Sequence, residues 1–133
     1  MGNFAAEHLA TMKEGILLFN AGKYWECHEE LEDHWLEARG DNIRYIYWAV
    51  ILAGNALYHY QDDKILGARG QISRAKDKVK KCRELNIESE LLFKSLNWKN
   101  FGEVVLAIPA KPELEDFNAL SEFVFTCPKN WEK

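Results

Sequence analysis

The sequence offers little material for a disulfide framework, a zinc knuckle or a membrane span. Its three cysteines, Cys27, Cys82 and Cys127, lie far apart and form no Cys-x-x-Cys pair, so we expect reduced thiols. The longest apolar run, residues 46–57, is interrupted by a glycine and an asparagine. It is also shorter than the roughly 20 residues that a membrane-spanning helix needs. These absences predict a cytoplasmic protein with no membrane partner.

The sequence also lacks an excess of positive charge. It has 17 Lys and Arg residues against 21 Asp and Glu residues, which gives a net charge of −4. An acidic chain is a poor general binder of nucleic acid, so no nucleic-acid partner is expected. The chain has no Gly-rich phosphate loop, no Ser nucleophile elbow and no Rossmann fingerprint. Residues 1–6 lack the basic and apolar regions of a signal peptide, so no export is expected.

The composition is that of a globular protein. Apolar residues make up 47% of the chain and aromatic residues 13%, which is far from the composition of a disordered segment. A chain of 133 residues can bury roughly two thirds of the surface that it exposes when unfolded. We therefore expect a single domain over residues 1–133.

Apolar residues recur at helical spacing along most of the chain, and no alternation of period two extends over any length. This pattern predicts an all-α fold, a compact bundle of about five to six helices. The helix over residues 43–60 is apolar almost all round, as is typical of a helix that others surround, so we place it at the centre. The predicted helices span residues 3–19 (with Asn3 as N-cap), 24–38, 43–60, 64–85, 88–96 and 100–108, and residues 116–125 form a last short helix or a strapping segment.

A short turn joins the second and third predicted helices, which are therefore antiparallel neighbours. This arrangement places Asn55 beside His28, residues 48–52 beside residues 29–33, and His59 beyond His28. On the fourth helix, basic residues flank a narrow apolar seam on both sides and predict a solvated face. The seam consists of Ala68, Ile72, Ala75, Val79 and Cys82.

The second helix carries three polar residues on its apolar side. At about 100° per residue, His28, Glu29 and Glu32 fall on the same side as the apolar stripe. A buried charge is costly unless it is paired, hydrogen-bonded or coordinated. We therefore expect these three side chains to turn inward together. The apolar stripe consists of Tyr24, Trp25, Leu31, Trp35 and Leu36.

Three explanations of this His/Glu cluster stay open from the residues alone. His28 and Glu32, one turn apart, can ligate a divalent metal ion, with Glu29 and His59 as further candidate ligands. The zincin pattern H-E-x-x-H is not met, because Glu32 stands where that pattern has a second histidine. Glu29 is alternatively a desolvated general base that His28 orients. In the third explanation the cluster is a hydrogen-bonded structural network and catalyses nothing.

The same stretch carries a family resemblance. The run Phe19-Asn20-x-Gly22-x-Tyr24-Trp25-Glu26-x-His28-Glu29-x-Leu31-Glu32-x-x-Trp35 is similar to a small helical family, domain of unknown function number 309. Members of this family are catalogued as predicted metal-dependent hydrolases. Residues 56–61 and 67–69 resemble it as well, so the resemblance covers a core of about residues 14–85 and leaves a weaker helical region over residues 86–133.

The resemblance implies an all-helical fold, a divalent metal cofactor and hydrolysis of an unspecified substrate. Its motif acids and imidazole correspond to Glu26, His28, Glu29 and Glu32, of which we predict Glu29 and His28 as catalytic. The chain departs from the family's pattern over residues 48–52, where Trp-Ala-Val-Ile-Leu stands in place of Gln-Gly-Leu-Ile-Gln, so that two amides become apolar groups. The alternative function is a non-catalytic interaction module that binds a protein partner or a second copy of the chain as a homo-oligomer.

Overall fold

The computed structural model describes residues 3–38 and 40–132. In that part of the chain no strand is present, and the prediction of an all-α fold is confirmed. The α-helices are α1 (Ala6–Asn20), α2 (Tyr24–Glu37), α3 (Arg44–Gln61), α4 (Ile65–Glu84), α5 (Glu90–Leu96), α6 (Trp98–Ala107) and α7 (Asn118–Glu122), and the 3-10 helices are Leu114–Phe117 and Lys129–Glu132. The count of seven α-helices in the described ranges corrects the predicted five to six.

Helix α1 begins later than the sequence predicts. Its N-cap is Ala5, so the prediction of Asn3 in this role is wrong. The cause is His8, since the Ala5 N–H donates a hydrogen bond to His8 Nδ1 at 2.9 Å. The His8 imidazole, in the first turn of α1, therefore accepts a hydrogen bond from the Ala5 N–H, which would otherwise bond to water.

Helices α1 and α2 approach each other closely at a glycine. A Cβ atom added to Gly15 of α1 would lie only 2.4 Å from Cγ of Leu31 on α2. Leu31 is fully buried, as are Met12 and Ile16 on either side of the contact. The glycine therefore sets the distance between the first two helices.

Helices α2 and α3 are antiparallel neighbours, and this prediction is confirmed by contacts at both ends. The rings of Trp25 and Tyr58 lie 5.5 Å apart at one end. At the other end, the rings of Trp35 and Trp48 lie 5.0 Å apart. The hairpin thus determines which residues of α2 stand beside the middle of α3.

Helix α3 packs against both α2 and α4. Its residues from Ile46 to Leu57 are mostly buried. The five seam residues of α4 are all buried as well, which confirms the seam predicted from their spacing. That α3 is the centre of the whole bundle stays a prediction, as does the division into one domain with a family-like core. Among the described helices, none combines the length and apolar character needed to cross a membrane.

Most basic side chains of α4 are exposed, as the sequence predicts, but two of them contact the C-terminal region. Arg69 Nε donates a hydrogen bond to the Pro112 carbonyl oxygen at 2.8 Å. The Lys76 ammonium donates to the Ile108 carbonyl oxygen. These side chains hold the segment between α6 and the first 3-10 helix, so their charge serves the packing of the C-terminal region.

The C-terminal region is held by an aromatic cluster. The Phe101 ring centroid lies 4.9 Å from those of both Trp98 and Phe125, and Phe125 lies 5.1 Å from Phe19 of α1. Asn20 Nδ2 donates to the Phe125 carbonyl oxygen at 2.9 Å, and the Phe125 N–H donates to Asn20 Oδ1 at 2.7 Å. The chain after α7 is therefore a strap that is tied to the end of α1.

Candidate functional site

A cleft of about 270 Å³ opens between α2, α3 and α4. Each of the three helices presents one stripe of side chains to it, since residues three or four positions apart share a helix face. The lining residues are His28, Glu32 and Trp35 of α2, Trp48, Ile51, Leu52 and Asn55 of α3, and Gln71 and Arg74 of α4.

His28 and Glu32 form a pair on the α2 wall of the cleft. His28 Nε2 lies 3.5 Å from Glu32 Oε1, and the side chains are 21% and 51% exposed. The ring of Trp25, in the preceding turn of α2, meets the imidazole edge-on with ring centroids 5.0 Å apart. The other ring nitrogen, His28 Nδ1, is buried and has no hydrogen-bond partner in the described ranges. One imidazole nitrogen, Nε2, therefore lies beside a carboxylate, and the other, Nδ1, lacks a hydrogen-bond partner among the described residues.

An aromatic group closes one end of the cleft. The Trp48 ring packs against Trp35 and stacks on Tyr45, with centroids 5.9 Å apart and planes at 17°. The Lys78 ammonium lies 4.2 Å from the Trp48 ring, a cation–π contact across the α3–α4 interface. Trp35 Nε1 is buried and has no acceptor among the described residues. This end therefore offers a flat apolar surface.

The middle of the cleft holds an amide pair and a guanidinium. Asn55 Nδ2 donates to Gln71 Oε1 at 3.3 Å. This bond leaves the Asn55 carbonyl oxygen and the Gln71 amino group available to a molecule in the cleft. Arg74, one turn further along α4, takes part in none of the ion pairs found among the described residues. Donors and acceptors therefore face the cavity from two different helices.

The structure separates the residues that the sequence predicts as one site. His28 and Glu32 lie together at the cleft, but Glu32 is 51% exposed, and Glu29 is exposed and does not line the cleft. The prediction that the three side chains turn inward together is therefore wrong. The reason is that the apolar stripe is wider than the buried face of α2. Trp25 and Leu36, counted as buried from their chemistry, are 45% and 44% exposed. The buried face is instead centred on Tyr24, Cys27 and Leu31.

His59 also lies away from the cleft. A Cβ atom added to Gly67 at the start of α4 would lie 2.7 Å from His59 Nδ1, so the imidazole rests directly on that glycine. Within the described part of the chain, no group of three or more His, Cys, Asp and Glu side chains is arranged to hold a metal ion. The residues present therefore offer the pair His28–Glu32 and do not complete the ligand shell that the resemblance implies.

The buried cysteines do not supply a nucleophile for the cleft. Cys27 is fully buried and does not line the cleft, and its burial raises the pKa of its thiol to about 12. Burial likewise raises the pKa of Cys82 on α4. Both thiols are therefore protonated at neutral pH and fill space in the core.

Sequence reasoning missed the α4 contribution. Gln71 and Arg74 lie on the basic flank of α4, and helical periodicity alone does not say which flank meets α2. The sequence does indicate the α3 wall of the cleft, because Trp48, Ile51 and Asn55 share one stripe of that helix. Trp48 and Leu52, the two positions at which the resemblance predicts amides, both line the cleft and give it apolar surface.

Comparison with known proteins finds a family match over the part of the chain that carries the motif. Residues 12–71 match the model of the family described as Domain of unknown function (DUF309). The matched range contains α2 and α3 completely and every cleft-lining residue up to Gln71. The predicted resemblance is confirmed over these residues. No curated protein and no solved structure matches the chain.

Proposed function

We propose that the cleft between α2, α3 and α4 binds a small organic molecule, and that His28, held by Glu32, is the residue that exchanges a proton with it. The observation that supports this proposal is one cavity whose lining includes the polar residues His28, Glu32, Asn55, Gln71 and Arg74. Two of its lining side chains, His28 and Trp35, also carry a buried ring nitrogen without a partner in the described ranges. Buried polar groups in folded proteins are nearly always hydrogen-bonded.

The alternative of a purely structural network fits this pattern less well. A structural network is stabilising when every member is satisfied, and a half-satisfied network costs more than an apolar core. Here the side-chain contacts within the cleft are the His28–Glu32 pair at 3.5 Å and the Asn55–Gln71 hydrogen bond. Asn55, Gln71 and Arg74 line the cavity with further donors and acceptors, which is the arrangement of a binding site with a few convergent polar groups.

His28 is the proposed acid–base residue because imidazole is the side chain that most often transfers protons near neutral pH. Glu32 lies one turn on and fixes the position of the ring through Nε2. Ile51 and Leu52 form an apolar floor that lowers the local polarity. Electrostatic interactions between the cleft and a charged ligand are therefore stronger there than in water.

We expect a library of chemically diverse small compounds, screened by protein-observed NMR, to bind at this cleft. Binding compounds should shift the indole N–H signals of Trp35 and Trp48 and the side-chain amide signals of Asn55 and Gln71. The variant Gln71→Trp places an indole in the cavity and should abolish these shifts. The matched variant Lys81→Trp, at an exposed position of the same helix, should leave them unchanged.

Compounds that bind only outside the cleft, or a library in which nothing binds, would contradict the proposal. The second result would favour the non-catalytic interaction module. Its structural support is the exposed apolar surface beside the cleft, where Trp25, Leu36 and Tyr58 are each 39–45% exposed. A chain that sediments only as a monomer at high concentration would remove the version in which a second copy docks there.

Metal-dependent hydrolysis stays a prediction of the resemblance, and the described residues support it weakly. Because His28 and Glu32 provide only two ligands, we expect calorimetric titration with Zn²⁺ or Mn²⁺ to show weak binding that the variants His28→Ala and Glu32→Ala remove. Tight, stoichiometric binding that depends on Glu29 and His59 as well would show that the four predicted ligands come together in solution.

A further inference from the structure

We propose, building on the function proposed above, that the molecule bound in the cleft is a zwitterionic α-amino acid with an apolar side chain. The cleft holds two opposite charges on facing walls. Glu32 stands on the α2 wall and Arg74 on the α4 wall, and both line the same cavity. They form no ion pair with each other in the described part of the chain.

Opposite charges that line one cavity and do not pair with each other favour a ligand of both signs. A purely anionic molecule bound by Arg74 would face the carboxylate of Glu32. A purely cationic molecule bound by Glu32 would face the guanidinium, with the Lys78 ammonium held one turn further along the same wall against Trp48. Electrostatic complementarity and the penalty for like charges therefore both favour a molecule that carries an anion and a cation.

The hydrogen-bonding groups between the two walls fit the same chemistry. The Asn55–Gln71 pair spans from α3 to α4 and keeps one carbonyl oxygen and one amino group for a ligand. The carbonyl oxygen accepts from an ammonium group, and the amino group donates to a carboxylate. On the α2 side, the contact with His28 at 3.5 Å holds Glu32 beside the cavity. An α-ammonium and an α-carboxylate can thus be bound at neighbouring points.

The apolar end of the cleft fits the apolar side chain of the proposed amino acid. Trp35 and Trp48 form an aromatic surface with ring centroids 5.0 Å apart, and Ile51 and Leu52 complete the floor. The cavity of about 270 Å³ is slightly smaller than typical drug-sized pockets. It therefore suits a single amino acid, whose side chain packs against the indoles while its charged end faces Glu32 and Arg74.

The test compares four probes that differ by one feature each. L-Phenylalanine carries both charges and an apolar body, phenethylamine lacks the carboxylate, 3-phenylpropionate lacks the ammonium, and glycine lacks the apolar body. We expect L-phenylalanine to bind at least about tenfold more tightly than each of the other three, because each loses one set of contacts to a charged or apolar partner. Affinities come from NMR titration of the cleft signals.

Two variants test which residue of the cleft binds which charged group of the ligand. Arg74→Gln should weaken L-phenylalanine binding about tenfold and abolish its preference over phenethylamine. Glu32→Gln should weaken it to a similar degree, about tenfold, and abolish the preference over 3-phenylpropionate. The matched variants Lys81→Gln and Asp33→Asn change exposed charges on the same two helices outside the cleft and should leave all four affinities unchanged.

A probe with a single charge that binds as tightly as L-phenylalanine would overturn the inference, and so would a failure of L-phenylalanine to bind. The compound library separates this failure from that of the function itself. If other compounds bind at the cleft, the cleft remains a binding site and only the zwitterion is excluded. If no compound of any class shifts the cleft signals, both proposals fall.

Discussion

Replacement of Phe101 by alanine is expected to lower the free energy of unfolding by about 3–5 kcal/mol. Phe101 is fully buried, and its ring lies 4.9 Å from Trp98 and from Phe125. These contacts join α6 to the strap that is tied to α1. The lost stability therefore has two parts. The burial of a large aromatic side chain is lost, and a cavity remains that α6, the strap and α1 cannot easily close.

The matched control is Phe93→Ala. Phe93 is an aromatic residue on the adjacent helix α5 and is 37% exposed, so its removal should cost only about 1 kcal/mol or less. Urea denaturation followed by tryptophan fluorescence and by circular dichroism measures both variants. If the two substitutions cost the same, the C-terminal region is not packed onto α1 and α6 as described.

Substitution of Gly15 by alanine is expected to destabilise the protein by about 1–3 kcal/mol, although alanine is the better helix former. The added Cβ would lie 2.4 Å from Leu31 Cγ, and Leu31 is fully buried between α1 and α2. The leucine cannot swing into solvent, so the helices must separate. This contact lies beneath the α2 residues that line the cleft, so a shift of α2 should also weaken small-molecule binding.

The matched control is Gly70→Ala in α4, for which we expect a gain in the free energy of unfolding instead of a loss. Gly70 is exposed in the interior of α4, and a Cβ atom there meets nothing within 4 Å. Alanine should therefore stabilise the protein by about 0.5–1 kcal/mol through helix propensity alone. Thermal and urea unfolding of both variants measure the difference. Equal effects of the two substitutions would mean that α1 and α2 are not in close contact.

The helices up to residue 85 could be predicted because their signals are local. The α4 seam and the α2–α3 hairpin follow from apolar spacing and a short turn. The same kind of signal predicted helices over residues 88–96 and 100–108, which correspond to α5 and α6. The packing of the C-terminal region on α1 could not be predicted, since it depends on contacts between distant parts of the chain. Asn20 and Phe125, 105 residues apart, form two hydrogen bonds that no local pattern indicates.

The candidate site could be predicted on α2 and α3 and not on α4. The placement of Asn55 beside His28 follows from the antiparallel hairpin, and both line the cleft. The orientation of Glu29 was wrong because exposed apolar residues such as Trp25 widened the stripe. Arg74 could not be assigned, because the rotation of α4 against its neighbours depends on packing that helical periodicity does not contain.

The measurement that tests the account most directly is a crystal structure of the protein soaked with the compounds that bind in solution. We expect electron density for the bound compound between α2, α3 and α4, in contact with Arg74 on one side and with the His28–Glu32 pair on the other. Density found only on other surfaces, with the cleft side chains closed over one another, would contradict the proposal that this cleft is the functional site.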